Sequence, residues 1–265
     1  MTATAARMAV GAAVLAGLLL AGVRTAEGWE RSPFEEALAT VGRDYRTFYS
    51  AAPLARTGLA LGGGALLANT SADGRLQDAY QRRLRSDGTD RVSAVAKNFG
   101  EGEFAFTTVL LAAGFNALEP GTRFGDWGVH ASRAYLVGLP PMLVLQRALG
   151  SSRPSDNNGS RWRFADRAAG VSGHAFVGAV PFLALARVYE DRPVIRYTAV
   201  AASLLTAWSR VNDDAHYVSQ AGLGWFLAWE SVRATFVADG RVRRFAVQPA
   251  AVGPDGFGLV AHLAW

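Results

Sequence analysis

Six stretches of this chain run for thirteen to nineteen residues without an Asp, Glu, Lys or Arg, and arginine-bearing connections separate them. They are Thr57 to Ala72, Phe104 to Leu118, Ala134 to Gln146, Ala168 to Ala186, Tyr197 to Ser209 and Ala215 to Trp229. Each is too long for an ordinary strand and rich in Ala and Leu, so each reads as a buried helix. The pattern predicts one all-α domain built as a six-helix bundle, and a chain that is half hydrophobic has ample material for its core. A membrane-spanning helix needs about 20 apolar residues. Most of these runs fall short, although terminal arginines can snorkel and lengthen the effective span. A compact exported helical domain and a membrane bundle both stay open.

The two ends differ from the middle. Arg7 precedes the uncharged run Met8 to Val23 (MAVGAAVLAGLLLAGV), which has the length and small-residue content of a signal-peptide core. Residues 1–26 are therefore read as a signal peptide or an N-terminal anchor. This reading places the protein in the cell envelope, exported, with its site on the periplasmic side. Residues 27–236 form the helical domain. Within residues 237–265, Arg241 to Gln248 and Phe257 to Trp265 alternate in period two around the turn Pro254-Asp255-Gly256, which predicts a short C-terminal β-hairpin.

The formal net charge of +5 favours anionic partners. Nearly all of the positive charge is arginine, Lys97 being the only lysine, and no basic run is interleaved with aromatics, which argues against nucleic acid. The absence of cysteine removes disulfides, thiolate metal sites and thiol catalysis together. Four histidines without an HExxH pair make a poor zinc site, so neither a metal nor another cofactor is expected. Gly62-Gly63-Gly64 lacks the spacing of a phosphate loop and reads as close helix packing.

Three short segments carry chemistry. In RALGSSRPSDNN an apolar helix ends and Pro154 prevents its continuation, which leaves Arg153 at a helix mouth. In Val171-Ser172-Gly173-His174, Ser172 is a good N-cap, and Gly173 and His174 offer amides at a helix N-terminus, where anions bind. In SRVNDDAHYVSQ, Ser209-Arg210 precedes His216 and Gln220, which stand four apart on one helical face, so the amide can hold the imidazole. Each has a plain structural explanation when taken alone, as do His130, His262 and Lys97, which lack such neighbours. Asp213 and Asp214 read as solvated or helix-capping rather than as metal ligands. Together, two arginines, helix-terminal amides and two histidines are the groups that stabilise a phosphoryl transition state.

In order and spacing the three segments resemble the motifs of the type 2 phosphatidic acid phosphatase and vanadium haloperoxidase superfamily, PAP2 for short: a Lys then Arg-Pro, a Pro-Ser-Gly-His, and a Ser-Arg followed by His and Asp. The likeness covers roughly Ala134 to Trp229. It implies a bundle of that type and metal-independent hydrolysis of a phosphomonoester or diphosphate. The substrate would be a phosphorylated lipid of phosphatidic acid or isoprenoid type, or a small phosphate ester. By the same resemblance Arg153 and Arg210 bind phosphate oxygens, Ser172 and Gly173 add hydrogen bonds, His174 protonates the leaving group, and His216 attacks to form a phosphohistidine. Two positions depart from the pattern. Gln146, with Arg147 beside it, stands where the family has lysine, and Gln220 stands where it has the aspartate that orients the nucleophile. A glutamine oxygen still accepts a hydrogen bond but cannot stabilise positive charge as a carboxylate does. The alternatives are a vanadate-dependent haloperoxidase, with His216 ligating vanadium, and a weakened phosphate- or lipid-binding relic. Arg161 and Arg163, in the loop between two motifs, are candidate extra anion contacts or solvated charges.

Overall fold

The computed structural model describes residues 33–241, 244–251 and 257–264. The signal-peptide or anchor reading of residues 1–26 falls outside them. Ten α-helices occur among the described residues: α1 (Pro33–Phe48), α2 (Ala51–Ala68), α3 (Ala72–Arg83), α4 (Asp87–Ala96), α5 (Gly102–Leu118), α6 (Arg123–Ala148), α7 (Gly173–Val188), α8 (Pro193–Ser203), α9 (Leu205–Asn212) and α10 (Val218–Ala238). Strands β1 (Arg244–Ala251) and β2 (Phe257–Ala264) pair antiparallel, from Arg244 opposite Ala264 to Ala251 opposite Phe257. No described helix is long and apolar enough to cross a membrane.

Ten helices rather than six is the main departure from the sequence reading. Five of the apolar runs supply one helix each, namely α2, α5, α6, α7 and α10, but the run from Tyr197 to Ser209 is divided between α8 and α9. At the break Ser203 turns its hydroxyl back onto Val200 O at 2.6 Å and accepts the Trp225 indole N–H at 2.8 Å, while Leu204 N bonds Ala201 O in a tightened turn. The helices that hydropathy did not flag are α1, α3 and α4, whose sequences are too polar to register as apolar runs. Reciprocal capping starts α4: Ser86 Oγ accepts from Thr89 N at 3.3 Å, and Thr89 Oγ1 accepts from Ser86 N at 2.9 Å.

Prolines inside the long helices leave carbonyls that the chain fills with tyrosines. Pro140 in α6 has no N–H for Leu136 O, and the Tyr45 hydroxyl donates to that oxygen at 2.8 Å. Pro181 in α7 likewise frees Val177 O, which accepts the Tyr135 hydroxyl at 2.7 Å. Tyr135 is itself buried in the main core with Phe176, Leu227 and Phe236, so α1, α6, α7 and α10 are tied together by packing and by directed bonds.

A buried ionic cluster closes the end of the domain away from the candidate site. Arg133 holds Asp44 through 2.6 and 2.8 Å bonds and Asp239 through 2.6 and 2.9 Å bonds. Beside it, buried His130 stacks on Phe236 at 3.8 Å and bonds Thr235 through Nδ1 at 3.1 Å, and Arg241 pairs with Asp126. His130 is thus a structural histidine. The side chain of His262, in β2, lies outside the described residues.

Candidate active site

The C-terminal ends of α6 and α9 and the N-terminal ends of α7 and α10 meet at the opposite end of the domain. Backbone bonds join them directly: Gly170 N to Gln146 O at 3.1 Å, Ser172 N to Gln220 O at 2.9 Å, and His216 N to Arg210 O at 3.0 Å. The three motif segments, distant in sequence, are thereby brought to one place.

His216 is buried, and its Nδ1 lies 2.8 Å from Gln220 Oε1. The same oxygen accepts Tyr217 N at 3.2 Å, while Gln220 Nε2 donates to Ser151 Oγ at 2.8 Å and Ser152 O at 2.7 Å. These four partners fix the amide orientation, because only its nitrogen can donate to a carbonyl. An amide oxygen can only accept, so His216 carries its proton on Nδ1 and leaves Nε2 as a bare lone pair. Burial pushes the His216 imidazole down to about 4; the Gln220 bond opposes this, and the charges of Arg153, Arg210 and His174 add to the depression. At neutral pH the ring is therefore uncharged.

Helix α7 starts as its sequence suggests, with Ser172 Oγ accepting from Ala175 N at 3.3 Å. His174 lies in the first turn, half exposed, with Nε2 3.6 Å from Glu101 Oε1. Its pKa is lowered by burial and then by Arg210, raised by Glu101, and lowered further by Arg153. No local sequence motif connects Glu101 with His174. Its signal is geometric: a Cβ on Gly100 would lie 2.7 Å from His174 O, so only glycine lets the turn before α5 come this close.

Arg210 pairs with Asp213, and its Nε is buried without a hydrogen-bond partner. Such an orphan donor, on a guanidinium whose charge acts on both His174 and His216, suits an oxyanion. Asp213 in turn accepts from Ser93 Oγ at 2.5 Å, and Asp214, in the left-handed region at φ 56°, accepts from Gln77 Nε2 at 2.6 Å. Both carboxylates brace the loop instead of standing solvated, and the described residues contain no cluster of three potential metal ligands. Helices α3 and α4 complete the brace. Gln81 donates to Val211 O at 2.8 Å, Tyr80 to Asn212 Oδ1 at 3.0 Å, and Asn212 to Asp90 at 2.7 Å. Fully buried Asp73 caps α10 from α3, accepting from Ser219 N at 3.1 Å and Ser219 Oγ at 2.5 Å.

Arg153 is exposed at the rim, its N–H held by Asp156 Oδ2 at 3.1 Å, and it reaches both histidines electrostatically. Gln146 occupies the margin: its Nε2 donates to Val171 O at 3.0 Å, and a Cβ on Gly173 would lie 3.7 Å from that nitrogen. Its amide therefore steadies the segment that presents Ser172 and Gly173. Helix α6 remains intact through Ala148, and Arg147 is exposed. Arg161 is exposed too, and Arg163 lies 3.8 Å from Asp166.

Residues 127–244, which hold all three motif segments, match the family model of the PAP2 superfamily. Among solved structures, it is similar to one described as the first transmembrane PAP2 type phosphatidylglycerolphosphate phosphatase from Bacillus subtilis. That likeness has 16% sequence identity, covers 80% of this chain and 96% of that one, and has a TM-score of 0.47, too low to support an inference about activity. Nothing among the curated proteins matches this chain.

Proposed function

We propose that this protein is a metal-independent phosphatase that hydrolyses a lipid-linked phosphomonoester or diphosphate through a phosphohistidine on His216. The observation that carries the reading is the Gln220 Oε1 contact to His216 Nδ1, which leaves Nε2 unprotonated and free to attack. Arg153 and Arg210 bind the phosphoryl oxygens, the orphaned Arg210 Nε supplying one donor, and the Gly173 amide at the start of α7 adds another. His216 Nε2 forms a bond to phosphorus as the bond from phosphorus to the leaving oxygen breaks, and His174 passes its proton to that oxygen. Neutral His174 then takes a proton from water, whose oxygen displaces His216 from phosphorus. Phosphate leaves, and both histidines return to their starting states.

Apolar surroundings support a lipidic substrate. A cavity of about 210 Å³, lined by Phe99, Phe104, Val109, Trp127 and Phe182 among others, lies between α5, α6 and α7, and Phe99 immediately precedes the Gly100 that touches His174. Leu59, Leu66, Leu111 and Leu118 are 69–78% exposed, which supports association with a membrane. The catalytic end is proposed to face the exported side. Phosphate release from phosphatidic acid and from soluble phosphate esters in the presence of a chelator tests the reaction. A requirement for a divalent ion, or vanadate-dependent halide oxidation in its place, would overturn it.

A further inference from the structure

On the flank of the domain, α7, α8 and α10 enclose a cleft of about 130 Å³ lined by Leu183, Arg187, Arg196, Val200, Trp225 and Trp229 among others. Arg187 is half buried there, and among the described residues neither Arg187 nor Arg196 takes part in a side-chain hydrogen bond or ion pair. Burial lowers the Arg187 pKa, Arg196 lowers it further, and Glu190 alone opposes. Arg233 adds charge nearby, since Arg187 also lowers its pKa. A cationic cleft whose charges repel one another is costly unless an anion fills it.

The cleft continues into an apolar strip. On α8, Val194 is 80% exposed, Tyr197 67% and Val200 37%, and Leu204, the C-cap residue that follows it, is 47% exposed. At 100° per residue these four and Arg196 share one face, with Arg196 at its edge beside Val200. Two indoles line the wall opposite. Cationic and apolar surface are therefore continuous, as an amphiphile with an anionic head requires and a free inorganic anion does not. Arg187 lies thirteen residues along α7 from His174, about 20 Å at helical rise, so a headgroup held here is out of reach of His216.

We propose that this cleft binds a membrane phospholipid with an anionic headgroup as a non-substrate lipid. Arg187 and Arg196 hold the phosphate, and the acyl chain lies along Val200, Trp225 and the exposed face of α8. The site is separate from the phosphatase reading and does not depend on it.

The test uses the full chain in neutral detergent micelles, with tryptophan-to-dansyl energy transfer to a dansyl phosphatidylglycerol. Phosphatidylglycerol should displace the probe about tenfold more effectively than phosphatidylcholine, as expected for two arginines at a headgroup. The Arg187→Gln/Arg196→Gln variant should lose that preference while keeping the wild-type unfolding temperature. Arg82→Gln/Arg83→Gln on α3, which removes the same charge elsewhere, should retain it. Equal loss in both variants would reduce the effect to net charge and overturn the site, as would an unchanged preference in the first. Displacement by inorganic phosphate as effective as that by phosphatidylglycerol would assign the cleft to a soluble anion and overturn the lipid proposal.

Discussion

Gln220 and His216 are joined at 2.8 Å across one helical turn, and the amide on which the imidazole rests is itself held at both ends by the segments around Ser152 and Tyr217. The glutamine supports a neutral imidazole and ties α10 to the loop bearing Arg153, tasks that one carboxylate cannot both perform, because a carboxylate has no N–H for Ser152 O. Gln220→Leu should lower turnover roughly 10²–10⁴-fold, in the range seen when a histidine loses its orienting partner. It should also cost about 2–4 kcal/mol of stability through the unsatisfied groups left behind. Turnover of phosphatidic acid and urea unfolding measure the two effects. Equal turnover with Leu and Gln at this position would deny the hydrogen bond a catalytic role.

The orphaned Arg210 Nε leads to a second expectation. Arg210→Lys keeps the charge but removes the fork of donors, so competitive inhibition by vanadate should weaken by about tenfold or more. The change should be smaller for Arg153→Lys, because Arg153 is exposed at the rim. Inhibition constants with a soluble ester provide the comparison, and equal losses would contradict it.

The pH profile separates the two histidines. His216, depressed to about 4, must be neutral to attack, so kcat/KM should fall on the acid side near pH 4. His174 must be protonated, and its lowered pKa places the alkaline fall below the ordinary value of about 6.5. Glu101 opposes that depression, so Glu101→Gln should move the alkaline limb to lower pH and leave the acid limb in place. Glu101→Asp should partly restore it. Bound phosphate offsets the arginine charges, so the limb seen in kcat should lie above that seen in kcat/KM. Superimposable wild-type and Glu101→Gln profiles would remove Glu101 from the mechanism.

His216 also links stability to pH. Its folded pKa lies below the unfolded value, so between about pH 6.5 and pH 4 the unfolded chain takes up a proton that the folded chain refuses, and stability falls as pH is lowered through that window. The contribution is on the order of 3 kcal/mol. His216→Asn should flatten the difference in unfolding free energy between pH 6.5 and 4 by about that amount.

At the far end, Arg133→Met strands Asp44 and Asp239, which should cost about 3–5 kcal/mol, the range for breaking a buried ion pair. Turnover per folded molecule should stay within about twofold, because Arg133 precedes Gln146 by about 20 Å along α6. Urea unfolding and activity at low denaturant measure the pair.

Local geometry made part of the site legible in the sequence. The four-residue spacing of His216 and Gln220 predicts their contact, and Ser172 before an apolar run predicts the N-cap, because one helical turn determines both outcomes. Asp73, Gln77, Ser93 and Glu101 were not legible. They act on residues more than seventy positions away, and α3 and α4, which carry the first three, are too polar to register as apolar runs. The division of the Tyr197–Ser209 run at Ser203 was hidden for a similar reason, since Trp225 on another helix helps fix it. Gln146 stands at the position of the family's phosphate-binding lysine and is a candidate phosphate contact by that position, whereas its bond to Val171 O is visible only in the packed structure.

The central claim is that His216 Nε2 attacks phosphorus without a metal. Its most direct test is phosphate release from phosphatidic acid by the purified full chain in excess chelator, with acid-stable and base-stable phosphoenzyme measured after rapid quench. Wild type should release phosphate and show a base-stable, acid-labile adduct typical of phosphohistidine, while His216→Ala should show no adduct and at least about a thousandfold less release. Release by His216→Ala at the wild-type rate, or release that stops when divalent ions are chelated, would contradict the account.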